Sequence, residues 1–327
     1  MENQPLVSII IPTHNRPELL MRAVKSAVAQ TYQNTEIIVV DDVGNVPIDE
    51  LKKLSDKIQY IHIPETYWIS ENRNAGIKTS KGKYIAGLDD DDIWFDYYLD
   101  TLIPVMESDN SIGLSCTNGY QINYLNEYPV RQLFPHLQHE MRGNLFARTI
   151  WDCFMLPSLM IIRKNMFDTI GYFYNTRGED LDLIMRVSAF TNIYYTPKTC
   201  GVWYRRIDTS SASEHAQLTL QGRLNILTPA INCLVDIELM AKRYGRKFSI
   251  TEKATIFLQK YYFNCYIVAV HFMFKSPDRY SVLKDCMLDY PLLFPVTLLT
   301  PLCCNKTIRD AGQELKRKMT IFFNHSG

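Results

Sequence analysis

The sequence predicts an α/β fold in which a mixed, mainly parallel sheet is flanked by helices and followed by a helical C-terminal extension. From residue 5 to about residue 120, short apolar runs alternate with segments of helical periodicity, which is the pattern of βαβ units. The last third of the chain lacks this alternation. A chain of 327 residues suffices for one large domain or two unequal ones. We predict a sheet domain over residues 1–215 and a helical region over residues 216–327.

The first strand and the first helix are predicted by a β-branched run and an apolar stripe. Residues 6–11 form the run, which ends at Pro12, and Pro17 stands where the first turn of a helix accepts proline. The following segment repeats apolar residues at helical spacing, as one buried face requires. These residues are Leu19, Leu20, Ala23, Val24, Ala27 and Val28.

The next elements repeat this order. Residues 36–40 form a second apolar run, which ends in Asp41 and Asp42. Strands that alternate with helices run parallel, and their carboxyl ends lie at the edge of the sheet where α/β folds bind ligands. The remaining predicted elements are a short helix over 48–56, a strand over 58–63, a helix over 71–79 and a strand over 84–88.

The strand over 84–88 ends in four consecutive aspartates, Asp89 to Asp92. Neighbouring carboxylates raise one another's pKa unless a cation or hydrogen-bond donors compensate them. Carboxylate oxygens suit Mg²⁺ or Mn²⁺ better than zinc or iron. A solvated acidic turn is the alternative, but residues 12–16 and 41–42 end strands at the same predicted edge. This coincidence favours a binding site.

Composition and missing motifs exclude several functions. Lys plus Arg equals Asp plus Glu at 35 each, so no overall charge attracts nucleic acid. The first strand is not followed by a glycine-rich phosphate loop, so phosphates must be held by a metal and by cations, of which Arg73 is the best local candidate. The N-terminus lacks the features of a signal peptide, and we therefore expect a cytoplasmic protein.

Five segments, in this order, resemble the successive motifs of family two, inverting glycosyltransferases with the GT-A fold. The resemblance covers roughly residues 5–210. It implies a Rossmann-like domain that binds a nucleotide sugar, usually a UDP-sugar, together with Mn²⁺ or Mg²⁺. The segments are residues 7–16 (VSIIIPTHNR), 36–42 (EIIVVDD), 72–76 (NRNAG), 82–92 (GKYIAGLDDDD) and 178–182 (GEDLD).

The resemblance also implies roles for individual residues. Asp91 is the implied metal ligand, and Asp180 is the implied base that takes the proton of the attacking sugar hydroxyl. Alternatively, Glu179 and Asp180 only cap a helix, since acids are common at that position. Many relatives carry a further metal-binding histidine where this chain reads IDTSS at 207–211, so either Asp208 substitutes or the cation has fewer protein ligands. The implied donor-binding residues are Pro12, Thr13, Asn15, Asp42, Arg73, Asp89 and Asp90.

The remaining segments predict the acceptor side and the C-terminal region. Residues 116–148 are rich in Tyr, Asn, His and Pro and predict long loops, whereas residues 218–244 and 251–274 predict helices. An apolar, proline-broken segment over 290–304 precedes basic residues, which indicates insertion at the surface of an anionic membrane. A small helical subdomain or a dimer interface is the alternative.

The function we expect is transfer of a hexose or N-acetylhexosamine from a UDP-sugar, with UDP-glucose or UDP-galactose as first candidates. The expected acceptor is a polyprenyl-diphosphate-linked saccharide of an O-antigen-type surface polysaccharide, met by a peripheral protein at the inner face of the cell membrane. Two alternatives remain. A metal-dependent nucleotidyltransferase should have a glycine-rich loop after the first strand, and a non-catalytic cation- or carbohydrate-binding module would not need Asp180.

Overall fold

The chain divides into two compact units, each described by itself below. The computed structural model describes residues 4–64, 68–123, 131–205, 220–273 and 276–289. The predicted boundary at residue 215 lies outside these ranges. The first unit consists of Met1–Leu145, Phe154–Asn175 and Arg186–Ile207, and the second of Phe146–Cys153, Thr176–Met185 and Asp208–Gly327.

The first unit begins with four parallel strands, as the βαβ pattern predicts. They are β1 (Val7–Thr13), β2 (Thr35–Asp41), β3 (Ile58–His62) and β4 (Tyr84–Gly87). Every residue of β1 and β2 is buried, which is why these strands read as continuous apolar runs. Three helices connect the strands: α1 (Pro17–Val28), α2 (Ile48–Leu54) and α3 (Ile69–Thr79).

Antiparallel strands complete a mixed sheet. The strand order is β3-β2-β1-β4-β9-β6-β10-β5, with β7 paired to β6 and β8 paired to β10. Antiparallel pairing begins where β9 lies between β4 and β6. The elements are β5 (Ile93–Trp94), α4 (Tyr98–Ser108), β6 (Ile112–Asn123), β7 (Arg131–Gln132), β8 (Met141–Gly143), β9 (Met160–Arg163), α6 (Met166–Ile170) and β10 (Asn192–Arg205); α5 (Phe146–Trp151) stands between β8 and β9 in the chain.

The prediction of loops over residues 116–148 is wrong for residues 116–123, and β7, β8 and the start of α5 also lie within this range. Residues 116–123 belong to β6, which pairs with β10 in parallel. The strand is hidden in the sequence because its buried residues include Ser115, Thr117 and Asn118. Asn118 exchanges hydrogen bonds with the backbone of Phe134, at 3.0 and 3.1 Å. A buried polar side chain is tolerated where it is hydrogen-bonded in this way.

A close contact fixes α3 on the sheet. A Cβ atom at Gly76 would lie 2.5 Å from the Cγ2 atom of Ile10 in β1. Only glycine therefore allows the helix to approach the strand this closely. The contact places Arg73, one turn earlier in the helix, near the carboxyl ends of β1 and β4.

The second unit is helical in the part that the structure describes. It contains α5, the first residues of α7 (Glu179–Phe190), α8 (Leu220–Arg243), α9 (Ile250–Met273) and α10 (Arg279–Asp289). Helix α9 packs on α5, α8 and α10, and α8 and α9 confirm the two helices predicted for this region. Among the described helices, none is both long and apolar enough to cross a membrane. The predicted apolar segment over 290–304 lies outside the described residues.

Candidate functional site

The candidate site lies at the carboxyl ends of β1 and β4. The chain places β2 and β3 on one side of β1 and β4 on its other side, so the order of strands reverses between β1 and β4. Open α/β sheets bind ligands in the crevice at this reversal. Pro12 and Thr13 are buried at the end of β1, and the four aspartates follow β4. The structure therefore brings the first and last predicted strand ends together.

Asp90 is the buried centre of the acidic run. Its side chain accepts a hydrogen bond of 2.7 Å from the hydroxyl of Thr13, and the residue is only 4% exposed. Burial raises the pKa of Asp90 above its ordinary value, against the opposing influence of Arg16 and Thr13. A buried carboxylate needs such partners to remain ionised.

Arg16 bridges two of the aspartates. Its Nη1 atom lies 3.1 Å from Oδ1 of Asp90 and 3.2 Å from Oδ2 of Asp91. Arg16 stands at the N-terminal boundary of α1, so the short connection between β1 and α1 delivers its charge to the acidic run. The donor-binding residues predicted from sequence did not include Arg16, although residues 12–16 were predicted to end a strand at this edge. The one feature of the sequence that indicates a role for Arg16 is its position directly after a strand end that carries candidate residues.

Arg73 holds the first aspartate of the run. Its Nη2 atom lies 2.7 Å from Oδ1 of Asp89, and its guanidinium stacks on the ring of Phe173 at 5.2 Å. Asn74 fixes Phe173 through two hydrogen bonds to its backbone, of 2.8 and 2.9 Å. The backbone N–H of Asp89 also donates to Ser158 at 3.0 Å. The site predicted from sequence did not include the residues that contact Arg73 and Asp89 in this way, which are Phe173, Asn74 and Ser158.

The two aspartates after β2 have different surroundings. Asp41 is fully buried, and its carboxylate accepts hydrogen bonds of 2.9 Å from the N–H groups of Val43 and Gly44 and from the hydroxyl of Tyr60. These contacts form the turn after the strand. Burial of the Tyr60 phenol, and to a smaller extent its hydrogen bond to Asp41, raise the pKa of Tyr60 to about 12. Asp41 is therefore structural.

Asp42 points to the loop that follows β1. One of its carboxylate oxygens lies 2.7 Å from Nδ1 of His14. In the same loop Asn15 adopts a left-handed backbone with φ of 53°, which asparagine tolerates better than most residues. Its side chain accepts a hydrogen bond of 2.5 Å from Asn45. Asp42 and Asn15 thus lie in facing loops after β2 and β1, and their roles in donor binding stay predictions.

Asp180 lies in the first turn of α7, within the second unit. Its Oδ1 atom accepts a hydrogen bond of 2.8 Å from the N–H of Leu181. This bond satisfies one of the N–H groups that a helix leaves free at its start, so the capping interpretation has a geometric basis. The role of Asp180 as a base stays a prediction.

The oxygen ligands of the site fit a cation with few protein ligands. Within the described ranges, no three or more His, Cys, Asp or Glu side chains are grouped to hold a metal, and Asp208 lies outside those ranges. Mg²⁺ is commonly bound by one or two carboxylates together with substrate phosphates. Asp89 and Asp91 have partly exposed carboxylates, 26% and 18% for their side chains. Asp91 as a direct ligand stays a prediction.

A family comparison identifies the sheet domain. Residues 8–171, half of the chain, match the family described as glycosyl transferase family 2. The chain belongs to glycosyltransferase family 2. The matched range contains β1 to β4, the acidic run and the two arginines that contact it.

Two curated relatives of this family 2 chain come from bacteria. An uncharacterized glycosyltransferase of Rickettsia conorii is 28% identical over 292 residues, which cover 82% of this chain and 47% of that protein. The putative colanic acid biosynthesis glycosyl transferase WcaA of Escherichia coli K12 is 42% identical over 99 residues, 29% of this chain and 35% of the relative. The chain thus spans less than half the length of these two relatives.

Solved structures confirm the predicted fold class of the family 2 chain. S. aureus TarS 1–349 in complex with UDP-GlcNAc has a TM-score of 0.56 and 16% identity, and the alignment covers 95% of this chain and 92% of that one. TarS 1–349 in complex with UDP gives a TM-score of 0.55 at 17% identity, covering 95% and 91%. At this identity the likeness shows the fold, a mixed α/β sheet with flanking helices.

Proposed function

We propose that the protein is an inverting glycosyltransferase that moves a hexose or N-acetylhexosamine from a UDP-sugar to a sugar hydroxyl. The observation that carries this proposal is the cluster at the strand-order reversal of a family 2 sheet, where Arg16 and Arg73 contact Asp89, Asp90 and Asp91. Acids and arginines at this edge suit a diphosphate with its counter-ion. A non-catalytic module would have no need of Asp180.

A UDP-sugar is supported as the donor by two observations. The TarS structures of similar fold hold UDP-GlcNAc and UDP. In this chain the end of β1 has no glycine-rich loop, so phosphates must be bound by side chains, and Arg16 is 38% exposed at the site. Arginine binds phosphate oxygens through paired N–H groups. UDP-glucose and UDP-galactose are the first candidates, with Asp42 and Asn15 lining the nucleotide pocket beside Pro12 and Thr13.

The proposed chemistry divides between the leaving group and the acceptor. Mn²⁺ or Mg²⁺ at Asp91 would supply Lewis-acid stabilisation of the charge on the departing diphosphate. Arg73 is held by Asp89 and Phe173 in a fixed orientation, which suits the binding of the base or the diphosphate. Asp180 accepts the proton of the attacking hydroxyl as general base.

For the acceptor we propose a lipid-linked saccharide, as in surface polysaccharides of the O-antigen type, reached by peripheral contact with the inner face of the cell membrane. The relative WcaA is named for colanic acid biosynthesis, which supports a polysaccharide. Exposed apolar side chains of the helical unit, among them Leu239, Ile250 and Leu288, and the apolar segment over 290–304 support a membrane surface.

A thermal-shift screen of UDP-, GDP- and dTDP-sugars, with and without Mn²⁺, tests the donor site. We expect one UDP-sugar to stabilise the wild type in a Mn²⁺-dependent manner and to lose this effect in Asp91→Ala. The matched control is Asp56→Ala, which removes an exposed carboxylate before β3. Stabilisation by no nucleotide sugar would contradict the proposal and favour a nucleotidyltransferase or a cation-binding module.

Product analysis tests the reaction itself. The proton NMR spectrum of the product should show that the anomeric configuration of the transferred sugar is inverted relative to the donor. Retention of configuration would contradict an inverting mechanism with a single base.

A further inference from the structure

The two arginines of the site are held very differently. Arg73 has an 8% exposed side chain, a 2.7 Å contact with Asp89 and a stacking contact with Phe173. Arg16 has a 38% exposed side chain, and its contacts with Asp90 and Asp91 are 3.1 and 3.2 Å long. Charge-assisted hydrogen bonds are usually about 2.7–2.9 Å long. The contacts of Arg16 are therefore the looser of the two sets.

Arg16 neutralises the carboxylates that the proposed cation would need. A single nitrogen, Nη1, lies between Oδ1 of Asp90 and Oδ2 of Asp91. A divalent cation bound to the same oxygen of Asp91 would lie beside this guanidinium, and like charges at that distance repel each other strongly in a partly buried site. A cation on this oxygen and Arg16 in its observed position therefore destabilise each other.

The displaced guanidinium has an obvious new partner. The donor diphosphate carries negative charge, and arginine binds phosphate oxygens as well as it binds carboxylates. Arg16 starts α1 after a short loop and remains partly exposed, so its side chain has room to move. Exchange of carboxylate for phosphate would let Arg16 keep a charged partner when a cation takes its place.

We infer that Arg16 is an internal counter-ion of Asp90 and Asp91 that competes with the divalent cation for Asp91 and passes to the donor diphosphate when the cation binds. This inference rests on the proposed function. As a consequence, binding of the nucleotide and binding of the cation are coupled. Without a nucleotide, a cation must displace Arg16 from its carboxylates, whereas a bound diphosphate offers Arg16 a partner. Nucleotide and cation therefore strengthen each other's binding, and Arg16 carries that coupling.

Mn²⁺ titrations followed by electron paramagnetic resonance test the inference without any turnover. The full-length wild type, Arg16→Ala and Arg16→Gln are titrated with and without UDP. Without UDP, both variants should bind Mn²⁺ about tenfold more tightly than the wild type, within the usual range of coupling between sites. With UDP, the gain in Mn²⁺ affinity should be large in the wild type and reduced in both variants.

Two controls separate this inference from the proposed function. Lys53→Ala removes an exposed positive charge on α2 and should leave Mn²⁺ binding unchanged, which excludes an effect of net charge. Arg16→Gln keeps a polar, uncharged side chain with the same first three carbons, so it decides the result if the alanine variant does not fold. An unchanged or weaker Mn²⁺ affinity in the folded Arg16 variants, while the wild type binds UDP, overturns the inference alone. Absence of Mn²⁺ binding from every protein, with UDP present, overturns the inference and the proposed metal dependence together.

Discussion

Arg73 and Asp89 form an ion pair of 2.7 Å that joins the first half of α3 to the residue run that follows β4. The pair is backed by Phe173, which Asn74 holds through two backbone hydrogen bonds. The structural elements on both sides of the proposed donor site are thus connected through one charged contact. Its loss should affect both stability and donor binding.

Arg73→Ala should lower the free energy of unfolding by about 1–3 kcal/mol, because it leaves a partly buried carboxylate without its main charged partner. The affinity for the UDP-sugar should fall at least tenfold. Urea denaturation and calorimetric titration measure the two quantities. Arg73→Lys should recover part of the stability but little of the affinity, since lysine lacks the planar group that stacks on Phe173. Unchanged affinity in Arg73→Ala would show that this residue does not contact the donor.

Gly76→Ala should destabilise the protein by about 1–3 kcal/mol, because the added methyl group cannot fit between α3 and β1 without a shift of the helix. The Cγ2 atom of Ile10 is the group that it would meet, at 2.5 Å. The double variant Ile10→Ala/Gly76→Ala provides the test. In that background the added cost of Gly76→Ala should be smaller than in the wild type, as contacting residues are not additive. Strict additivity would mean that the contact does not limit the packing.

The carboxylate of Glu107 should stabilise the folded state, and this stabilisation should be lost in acid. Burial raises the pKa of its carboxyl, but hydrogen bonds and charge from Lys83, Tyr84 and Arg163 outweigh burial and lower the pKa below the ordinary value of 4.5. A lowered pKa stabilises the folded state above pH 4.5, and this stabilisation is lost as the pH falls through the folded-state pKa.

Glu107→Gln should therefore be less stable than the wild type at pH 7, and the difference should shrink below pH 4.5. Urea denaturation at several pH values measures it. Glu50→Gln, at an exposed position of α2, is the control and should show no such trend. A difference that is constant between pH 7 and pH 3 would contradict the assignment.

The sheet could be predicted from sequence where burial on both faces leaves apolar runs, as in β1 and β2. Pro17 likewise indicated the start of α1, and it stands at the first turn of that helix. Strand β6 could not be predicted, because Ser115, Thr117 and Asn118 are buried polar residues, and Asn118 finds its backbone partner, Phe134, 16 positions away. Sequence periodicity carries no information about such partners.

The acidic residues of the site could be predicted from the sequence more completely than its positively charged residues. Asp89 to Asp91 follow a strand that the sequence predicts, and adjacent carboxylates at such a position indicate a function. Arg16 reaches Asp90 across 74 positions of sequence, and Phe173 reaches Asn74 across 99. These contacts depend on the strand order and on the position of α3, which local patterns do not determine.

Peripheral membrane contact predicts binding to vesicles. The full chain should sediment with vesicles that contain anionic lipid and should bind less at high salt, because basic residues near a membrane surface are attracted electrostatically. Vesicles of neutral lipid are the control. No binding to anionic vesicles, combined with equal transfer to soluble and lipid-linked acceptors, would contradict the proposed acceptor class.

Asp180→Asn tests the proposal that Asp180 is the base of the sugar transfer. The asparagine keeps the shape of the side chain and its capping oxygen but cannot accept the proton. We predict unchanged UDP-sugar affinity and a fall in transfer rate of about 10²–10⁴-fold, whereas the neighbouring Glu179→Gln keeps most of its activity. Transfer at the wild-type rate by Asp180→Asn, measured under the same donor saturation, would show that Asp180 is not the base.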